Sequence, residues 1–295
     1  MLTVEARKRS SVYAWVLNLD ADVELETRGA YTPSRALERA AKRYASSLAR
    51  TLLGPDDVIV GEGDARGLPG RAFCPTRRAR ALLEAAGAVP EPHPAHDVLR
   101  RVNGRAFSAS LGQTIGGIFM ETLDAALEVL ARPPPNASRW RVKRAFGMAG
   151  RGQRVVSPGD LDDADRSFLL AAVCNGVQIE PDLTITRELA LHGLLGVDGS
   201  LRVGRVVGQL CDARGQWLAT RHVELDAPIT EALEREVRRV AVALRGAMYF
   251  GPFGIDAFEY RTADGSLALQ PRSEINARYS MGFGVGFGAA PCRVP

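Results

Sequence analysis

Residues 256–278 decide the fold: Asp256-Ala-Phe-Glu-Tyr is followed by an Asp264-Gly265 turn and then by Glu274-Ile-Asn-Ala-Arg278. Apolar and β-branched residues flank the Asp-Gly pair, which is the strongest short-range signal for a β-hairpin. We therefore expect one strand over 255–260 and a returning strand over 267–278.

The polar residues of this hairpin have a spacing that suggests a shared site. Alternate residues of a strand lie on one face, so Glu274, Asn276 and Arg278 point the same way, close to Asp256 on the neighbouring strand. Carboxylate and carboxamide oxygens suit a Mg²⁺ ion that carries a phosphate, and a guanidinium suits the phosphate itself. Taken alone, the pattern also fits an ordinary solvated strand face, because charged residues are mostly exposed.

A glycine-rich stretch is the second informative feature. Lys143-Arg-Ala-Phe-Gly147-Met-Ala-Gly150-Arg-Gly152 follows an alternating strand, and Val155-Val156 begins a return strand. Glycines let the backbone approach a phosphate closely. No Gly-Lys-Ser/Thr follows and no helix starts inside the loop, so it is neither a Walker A loop nor a Rossmann fingerprint. The pattern favours a mobile hairpin lid over phosphates, with a plain flexible β-turn as the alternative.

Lysine is rare in this chain, which gives Lys143 added weight. Of the 38 Lys and Arg residues only Lys8, Lys42 and Lys143 are lysine, so most of the cations reflect a coding bias towards arginine. A lysine at the end of a predicted strand, beside three glycines, is suited to contact phosphate oxygens as a compact point charge.

Together with two further motifs, these stretches resemble the ATP-grasp superfamily in order and spacing. The further motifs are Gln178-Ile-Glu180-Pro-Asp-Leu183 and Arg187-Glu188-Leu-Ala-Leu, and the resemblance covers roughly residues 98–285. It implies an ATP-grasp fold of mixed α/β (α+β) class, with two α+β subdomains around ATP and a glycine-rich hairpin lid. A small, mainly parallel α/β domain would precede them.

The resemblance also implies roles for the residues around the nucleotide. Lys143 would contact the α- and β-phosphates, and the loop with Gly147, Gly150 and Gly152 would cover them. The backbone around Gln178–Leu183 would lie against adenine, with Glu180 near the adenine amine and Glu188 near the ribose.

A metal site and a catalytic arginine follow from the same resemblance. Asp256, Glu274 and Asn276 would hold Mg²⁺, and Arg278 would face the transferred phosphate, so that Arg278 and Lys143 are the catalytic residues that the resemblance implies. One position departs from the family pattern: Val102-Asn-Gly-Arg105 has arginine where many members have a further lysine, and an arginine fork fits phosphate differently.

The activity that the resemblance implies is ATP- and Mg²⁺-dependent ligation of a carboxylate to an amine through an acyl phosphate. Two alternatives stay open, a phosphotransferase of the same fold and a non-catalytic or regulatory ATP-binding protein. Biotin-type carboxylation ranks lower, because it usually needs a larger chain and a carrier.

Composition limits the classes of partner. The 295 residues are 46% hydrophobic and have a net charge of +4, so the chain can bury proper cores and has no basic tract for nucleic acid. Aromatic residues make up only 6%, which argues against stacking platforms for single strands. The resemblance implies small-molecule carboxylate and amine substrates, and a homodimer is the default assembly.

No run of about 18 apolar residues and no apolar signal core is present, so we expect no membrane span and a cytoplasmic protein. Cys74, Cys174, Cys211 and Cys292 are far apart in sequence and suggest neither a zinc site nor a disulfide framework.

The pattern along the chain predicts two domains, residues 1–97 and 98–295, joined by the proline-rich connector 89–97. The first begins with a strand over 12–19 and a helix capped by Thr32, with Pro33 at its first position. In the second, the lid hairpin spans about 139–156, and a single strand is expected over 201–211. Pro271 cannot donate to a sheet, so its strand should lie at an edge or be bulged there.

Overall fold

The computed structural model describes residues 12–112, 115, 117–147, 152–212 and 215–288. Within these ranges the chain forms three sheets with helices packed against them. None of the described helices combines the length and apolar character that a membrane crossing requires.

The first sheet is parallel throughout, as the sequence predicts. Its four strands have the order β2-β1-β3-β4, and every neighbouring pair is parallel. The elements of this part are β1 Ala14–Val16, α1 Ala21–Glu26, α2 Arg35–Leu52, β2 Val58–Ile59, β3 Pro69–Ala72, α3 Arg77–Ala85 and β4 Val89–Pro90.

The second sheet is antiparallel and contains the lid hairpin. Its order is β5-β8-β6-β7, in which β6 and β7 form the predicted hairpin around the glycine loop. The elements are α4 His96–Asn103, α5 Arg105–Ser110, β5 Ile118–Met120, α6 Leu123–Leu130, β6 Trp140–Arg144, β7 Gln153–Val156, α7 Asp163–Ala172, a 3₁₀ turn Val173–Asn175 and β8 Val177–Pro181.

The third sheet holds the acidic hairpin. Its order is β12-β11-β9-β13-β14, with β10 paired to β9, and all its pairs are antiparallel. The elements are β9 Thr184–Leu195, β10 Leu201–Val203, β11 Val207–Cys211, β12 Trp217–His222, α8 Ala227–Gly246, β13 Gly251–Arg261, β14 Leu267–Asn276 and α9 Phe283–Phe287.

Pro271 lies where the sequence predicts a sheet irregularity. Strand β14 is the last strand of its sheet, and its register with β13 shifts between Asp256 and Phe258. The missing N–H of Pro271 therefore falls in a bulged part of an edge strand, which confirms the expectation.

Two local predictions were wrong, and one helix was missed. Helix α2 begins at Arg35, because the Ser34 hydroxyl rather than Thr32 accepts the cap bond, from the Leu37 N–H at 3.3 Å. Residues 201–211 form two short strands rather than one. Residues 21–26, for which the sequence pattern predicts no element, form α1, a six-residue helix too short to be stable without tertiary contacts.

Apolar side chains join the first sheet to the third. Trp15, Leu48 and Phe73 pack in one cluster with Leu194 of β9 and Phe283 of α9. Helix α9 can approach α2 because residue 284 is glycine: a Cβ there would lie 1.9 Å from the Thr51 carbonyl oxygen. These contacts hold the ends of the first-sheet strands against the third sheet, which contains the acidic hairpin.

His192 is buried at this junction, with 1% of its surface exposed. Its Nε2 lies 2.7 Å from Ser280 Oγ, and the ring fills the space over Gly254, Gly282 and Gly286, where a Cβ would lie 2.8 to 3.0 Å from ring atoms. Burial lowers the pKa of His192 to about 4. The imidazole is therefore neutral in the folded protein at neutral pH.

This burial predicts acid sensitivity with a defined sign. Between the unfolded pKa of about 6.5 and the folded pKa of about 4, the unfolded chain binds the extra proton, so stability falls as the pH is lowered. We expect His192 to contribute a loss of about 2 kcal/mol in the free energy of unfolding between roughly pH 7 and pH 5. Urea denaturation at both pH values measures it.

The variant His192→Gln isolates this contribution, since it should lose that part of the pH dependence. The matched control His222→Gln removes an exposed histidine of β12 and should keep the wild-type curve. An unchanged acid slope in His192→Gln would contradict the assignment. Should that variant fail to fold, His192→Asn provides the same comparison.

Candidate functional site

A cavity of about 730 Å³ lies between the lid sheet, the third sheet and the end of the first sheet. Most of the residues selected from the sequence line it. These are Arg105, Lys143, Gly147, Gly152, Glu180, Leu183, Glu188, Asp256, Glu274, Asn276 and Arg278. We call this cavity the cleft.

Lys143 and Glu180 form the lid-side wall of the cleft. Register places Arg141 opposite Glu180 and Lys143 opposite Gln178, so all four side chains are on one face of the sheet. The Lys143 ammonium forms an ion pair with the Glu180 carboxylate, and both side chains are largely buried. The cation predicted to contact phosphate thus faces the cleft with a carboxylate as its present partner.

The glycine loop is only partly within the described residues. Gly147 and Gly152 line the cleft, and Gly152 has φ +81°, a left-handed conformation that favours glycine. Gly150 lies outside the described residues. The lid reaches the third sheet, because a Cβ at Gly215 would lie 3.2 Å from Nε2 of Gln153 on β7.

Gln178 and Leu183 occupy different positions relative to the cleft. Leu183 lines it, whereas Gln178 is 2% exposed and is not among the lining residues. The Gln178 backbone pairs with β5 on one side and β6 on the other, so its peptide groups belong to the sheet. Backbone groups free to meet a ligand are therefore those nearer Leu183, where β8 ends.

Asp256 and Glu274 form the floor of the cleft. They are directly opposite each other on β13 and β14, so the two carboxylates are neighbours on one face. Asp256 accepts hydrogen bonds of 2.8 Å from the Asn276 amide and from the Gln209 amide. Burial, and then the charge of Glu274, raise the pKa of Asp256 to about 6.

The donor set on this floor fits a magnesium ion. Among the described residues no cluster of three or more His, Cys, Asp or Glu side chains could hold a metal. Magnesium, however, typically takes one or two carboxylates and completes its shell with water and phosphate oxygens. Asp256 and Glu274 supply the two carboxylates. Asn276 donates through its amide N–H to Asp256, so its side-chain oxygen is available as a further ligand.

Arg105 links the floor to the lid. Its Nη2 lies 2.9 Å from Glu274 Oε2, and its Nη1 donates to the Arg144 carbonyl at 3.0 Å. Arg105 is the first residue of α5, so the departure from lysine places a forked cation across one of the two floor carboxylates.

Arg278 meets a carboxylate that the sequence reasoning missed. Its Nε and Nη2 donate to the two oxygens of Asp22 at 3.2 and 2.7 Å. Burial lowers the pKa of Arg278, but the contacts with Asp22 outweigh it and raise that pKa above its ordinary value. The sequence feature that could have indicated this contact is the acidic run Asp20–Glu26. Its side chains form hydrogen bonds and ion pairs that connect α1 to neighbouring elements.

Glu188 also has a partner within the cleft. It is opposite Gln209 and Phe258 in register, and its carboxylate accepts a hydrogen bond from the Cys211 thiol. Burial, and then this bond, raise the pKa of Cys211. Cys211 and Gln209 are further cleft residues that no sequence pattern predicts.

The chain is similar in fold to solved structures that are distant in sequence. Biotin carboxylase from Campylobacter jejuni, a beta-gamma-ATP complex, has a TM-score of 0.55 and 13% identity over 95% of this chain and 72% of that one. D-alanyl-alanine synthetase A from Vibrio cholerae has a TM-score of 0.50 and 14% identity over 90% of this chain and 89% of that one. No family model and no curated protein matches the sequence.

The share of each structure that this chain spans varies. It spans 55% of N5-carboxyaminoimidazole ribonucleotide synthetase in complex with ADP, which covers 75% of this chain at 16% identity and a TM-score of 0.44. Identities this low establish a fold and not a reaction. The chain has the ATP-grasp fold that its ordered motifs predict.

The Asp22–Arg278 pair predicts a measurable loss of stability. Asp22→Asn leaves a guanidinium that is only 11% exposed without its carboxylate, which should lower the free energy of unfolding by about 2 to 4 kcal/mol. The control Glu26→Gln breaks the more exposed pair with Arg144 and should cost about 1 kcal/mol or less. Equal losses in the two variants, measured by urea denaturation, would contradict this assignment.

Proposed function

We propose that the protein is an ATP- and magnesium-dependent ligase that activates a carboxylate as an acyl phosphate and couples it to an amine. The observation that supports this best is the meeting of two walls in one cleft. Lys143 and Glu180 come from the lid sheet, and Asp256, Glu274 and Asn276 come from the third sheet. A triphosphate needs such opposed contacts, cationic on one side and metal-binding on the other.

The nucleotide would lie along the lid-side wall. Lys143 leaves Glu180 for the α- and β-phosphates, and Glu180 then accepts from the adenine amine. The glycine loop covers the phosphates, the backbone near Leu183 lies against adenine, and Glu188 is close to the ribose. The contact of the lid with the β11–β12 turn supports closure over a bound ligand, which excludes water from the reactive intermediate.

Asp256, Glu274 and Asn276 would hold Mg²⁺, which when bound offsets the negative charge of the β- and γ-phosphates. Arg105 would release Glu274 and turn its fork towards the phosphates. Arg278 uses only part of its donor set on Asp22 and the Tyr279 carbonyl, so N–H groups remain for the transferring phosphoryl group.

The reaction then balances without a protein nucleophile. A substrate carboxylate oxygen attacks the γ-phosphorus, and ADP leaves. The amine nitrogen attacks the acyl carbon, the bond to the phosphate oxygen breaks, and phosphate leaves as the amine loses its proton. Positioning and charge stabilisation are the contributions expected of these side chains.

A non-catalytic ATP-binding protein of this fold is the second candidate. The observation that favours it is the Arg105–Glu274 pair, because it sets a cation against one of the proposed metal ligands. A phosphotransferase has the same phosphate contacts, and it differs by leaving a phosphorylated product instead of an amide with free phosphate.

The proposed phosphate and metal contacts predict large rate losses. Lys143→Ala and Glu274→Gln should each lower turnover by about 10²–10³, the usual cost of removing one charge contact to a transition state. The measurement is ADP release with the acid and amine that a substrate screen identifies. Controls are Lys42→Ala and Glu231→Gln, exposed positions on α2 and α8 that should leave turnover unchanged. Near-normal turnover in Lys143→Ala or Glu274→Gln would falsify these roles.

ATP binding distinguishes the ligase from the non-catalytic candidate. We expect millimolar ATP to raise the melting temperature more strongly with Mg²⁺ than without it, and Glu274→Gln to lose most of that difference, because a bound ligand stabilises the folded state. Tight binding that ignores Mg²⁺ favours the non-catalytic protein. A melting temperature unaffected by ATP and Mg²⁺ contradicts both.

A further inference from the structure

We infer that the end of the cleft beyond Arg278 accepts a carboxylic acid with a bulky apolar body, of aromatic or branched aliphatic size. The inference rests on the proposed function, because it places the carboxylate of this acid at the phosphate-transfer end. It goes further by assigning the chemical class of the substrate.

A group of apolar and aromatic side chains borders this end of the cleft. Leu19, Ala41, Tyr44, Phe73, Trp217 and Met281 line it, and they come from five separate parts of the chain. The rings of Tyr44 and Trp217 meet edge to face with centroids 6.1 Å apart, which joins α2 to β12. We call this group the apolar end.

The apolar end lies next to the residues proposed to meet the phosphates. Along β14 and the residues after it, the chain runs from the floor carboxylate Glu274 through Asn276 to Arg278. The Arg278 guanidinium carbon lies 5.1 Å from the Phe73 ring centroid, and the Tyr279 N–H donates to the Phe73 carbonyl at 3.1 Å. A carboxylate held near Arg278 therefore has its body directed towards Phe73 and the rings beyond it.

Three of the polar groups at this end already have partners. Asp22 and Arg278 neutralise each other, and Ser280 Oγ lies 2.7 Å from His192 Nε2. Arg221 also lines the cleft, opposite Gly208 in register, and forms no ion pair among the described residues.

The exposure of these side chains favours a ligand with a bulky apolar body. Leu19 and Phe73 are 8% and 4% exposed, whereas Tyr44, Trp217 and Met281 are half-buried and keep apolar surface open to the cleft. Covering that surface is favourable for an apolar body and leaves no buried polar group unpaired. A small or strongly polar acid gains neither advantage.

Binding tests this class without knowledge of the second substrate. The probes are 3-phenylpropionate and phenylalanine against acetate, glycine and succinate, each added to the full chain with Mg²⁺ and a non-hydrolysable ATP analogue. We expect the two apolar acids to bind at least about tenfold more tightly than the others, because apolar contacts discriminate on this scale. A difference between 3-phenylpropionate and phenylalanine shows whether an amino group is also recognised.

Turnover provides the second readout, with hydroxylamine as the amine so that an acyl phosphate yields a hydroxamate. Trp217→Ala should raise the KM of the apolar acids by about tenfold and leave acetate nearly unchanged. Leu218→Ala, which removes the exposed neighbouring side chain that does not line the cleft, should change neither.

The outcomes separate this inference from the proposed function. Tighter binding or lower KM for acetate, glycine or succinate overturns the inference and leaves the ligase standing. The same holds for equal effects of Trp217→Ala on every acid. Binding of the apolar acids that depends on Trp217, without ADP release, supports the inference and contradicts the ligase.

Discussion

The structure depends on one cross-strand pair, Asp256 opposite Glu274, which sets two carboxylates side by side at the floor of the cleft. Burial and mutual repulsion make such a pair costly unless cations or hydrogen bonds compensate it. Here the Asn276 and Gln209 amides and the Arg105 guanidinium provide the compensation. These partners lie on three different elements, β14, β11 and α5, so the carboxylate pair also connects these elements to one another.

Ion pairs at the edges of the cleft connect its separate walls. Glu26 of α1 contacts Arg144 of the lid strand, and Asp22 of the same helix contacts Arg278 beyond β14. Arg105 contacts both the lid backbone and the floor. Because the charges predicted to meet phosphate are all paired within the protein, binding of a nucleotide exchanges internal partners for external ones. Contacts with a magnesium-bound triphosphate must therefore contribute more free energy than the loss of these internal ion pairs costs.

Much of the site was predictable because its signals are local. The Asp264-Gly265 turn fixed the acidic hairpin, and the alternation of Glu274, Asn276 and Arg278 placed them on one face of the cleft. Asp22 was not predictable, since its helix has only six residues and is held by contacts distant in sequence. The start of α2 was misplaced because Thr32 and Ser34 are both good caps, and only the folded backbone selects between them. The apolar end likewise gathers residues whose spacing along the chain has no common period.

The most direct test of this account is a crystal structure of the full chain with Mg²⁺ and a non-hydrolysable ATP analogue. We expect a metal within about 2.1 Å of oxygens from Glu274 and at least one of Asp256 and Asn276. We also expect the Lys143 ammonium on phosphate oxygens, no longer on Glu180. A metal held only by nucleotide and water, with Lys143 still paired to Glu180, would contradict it.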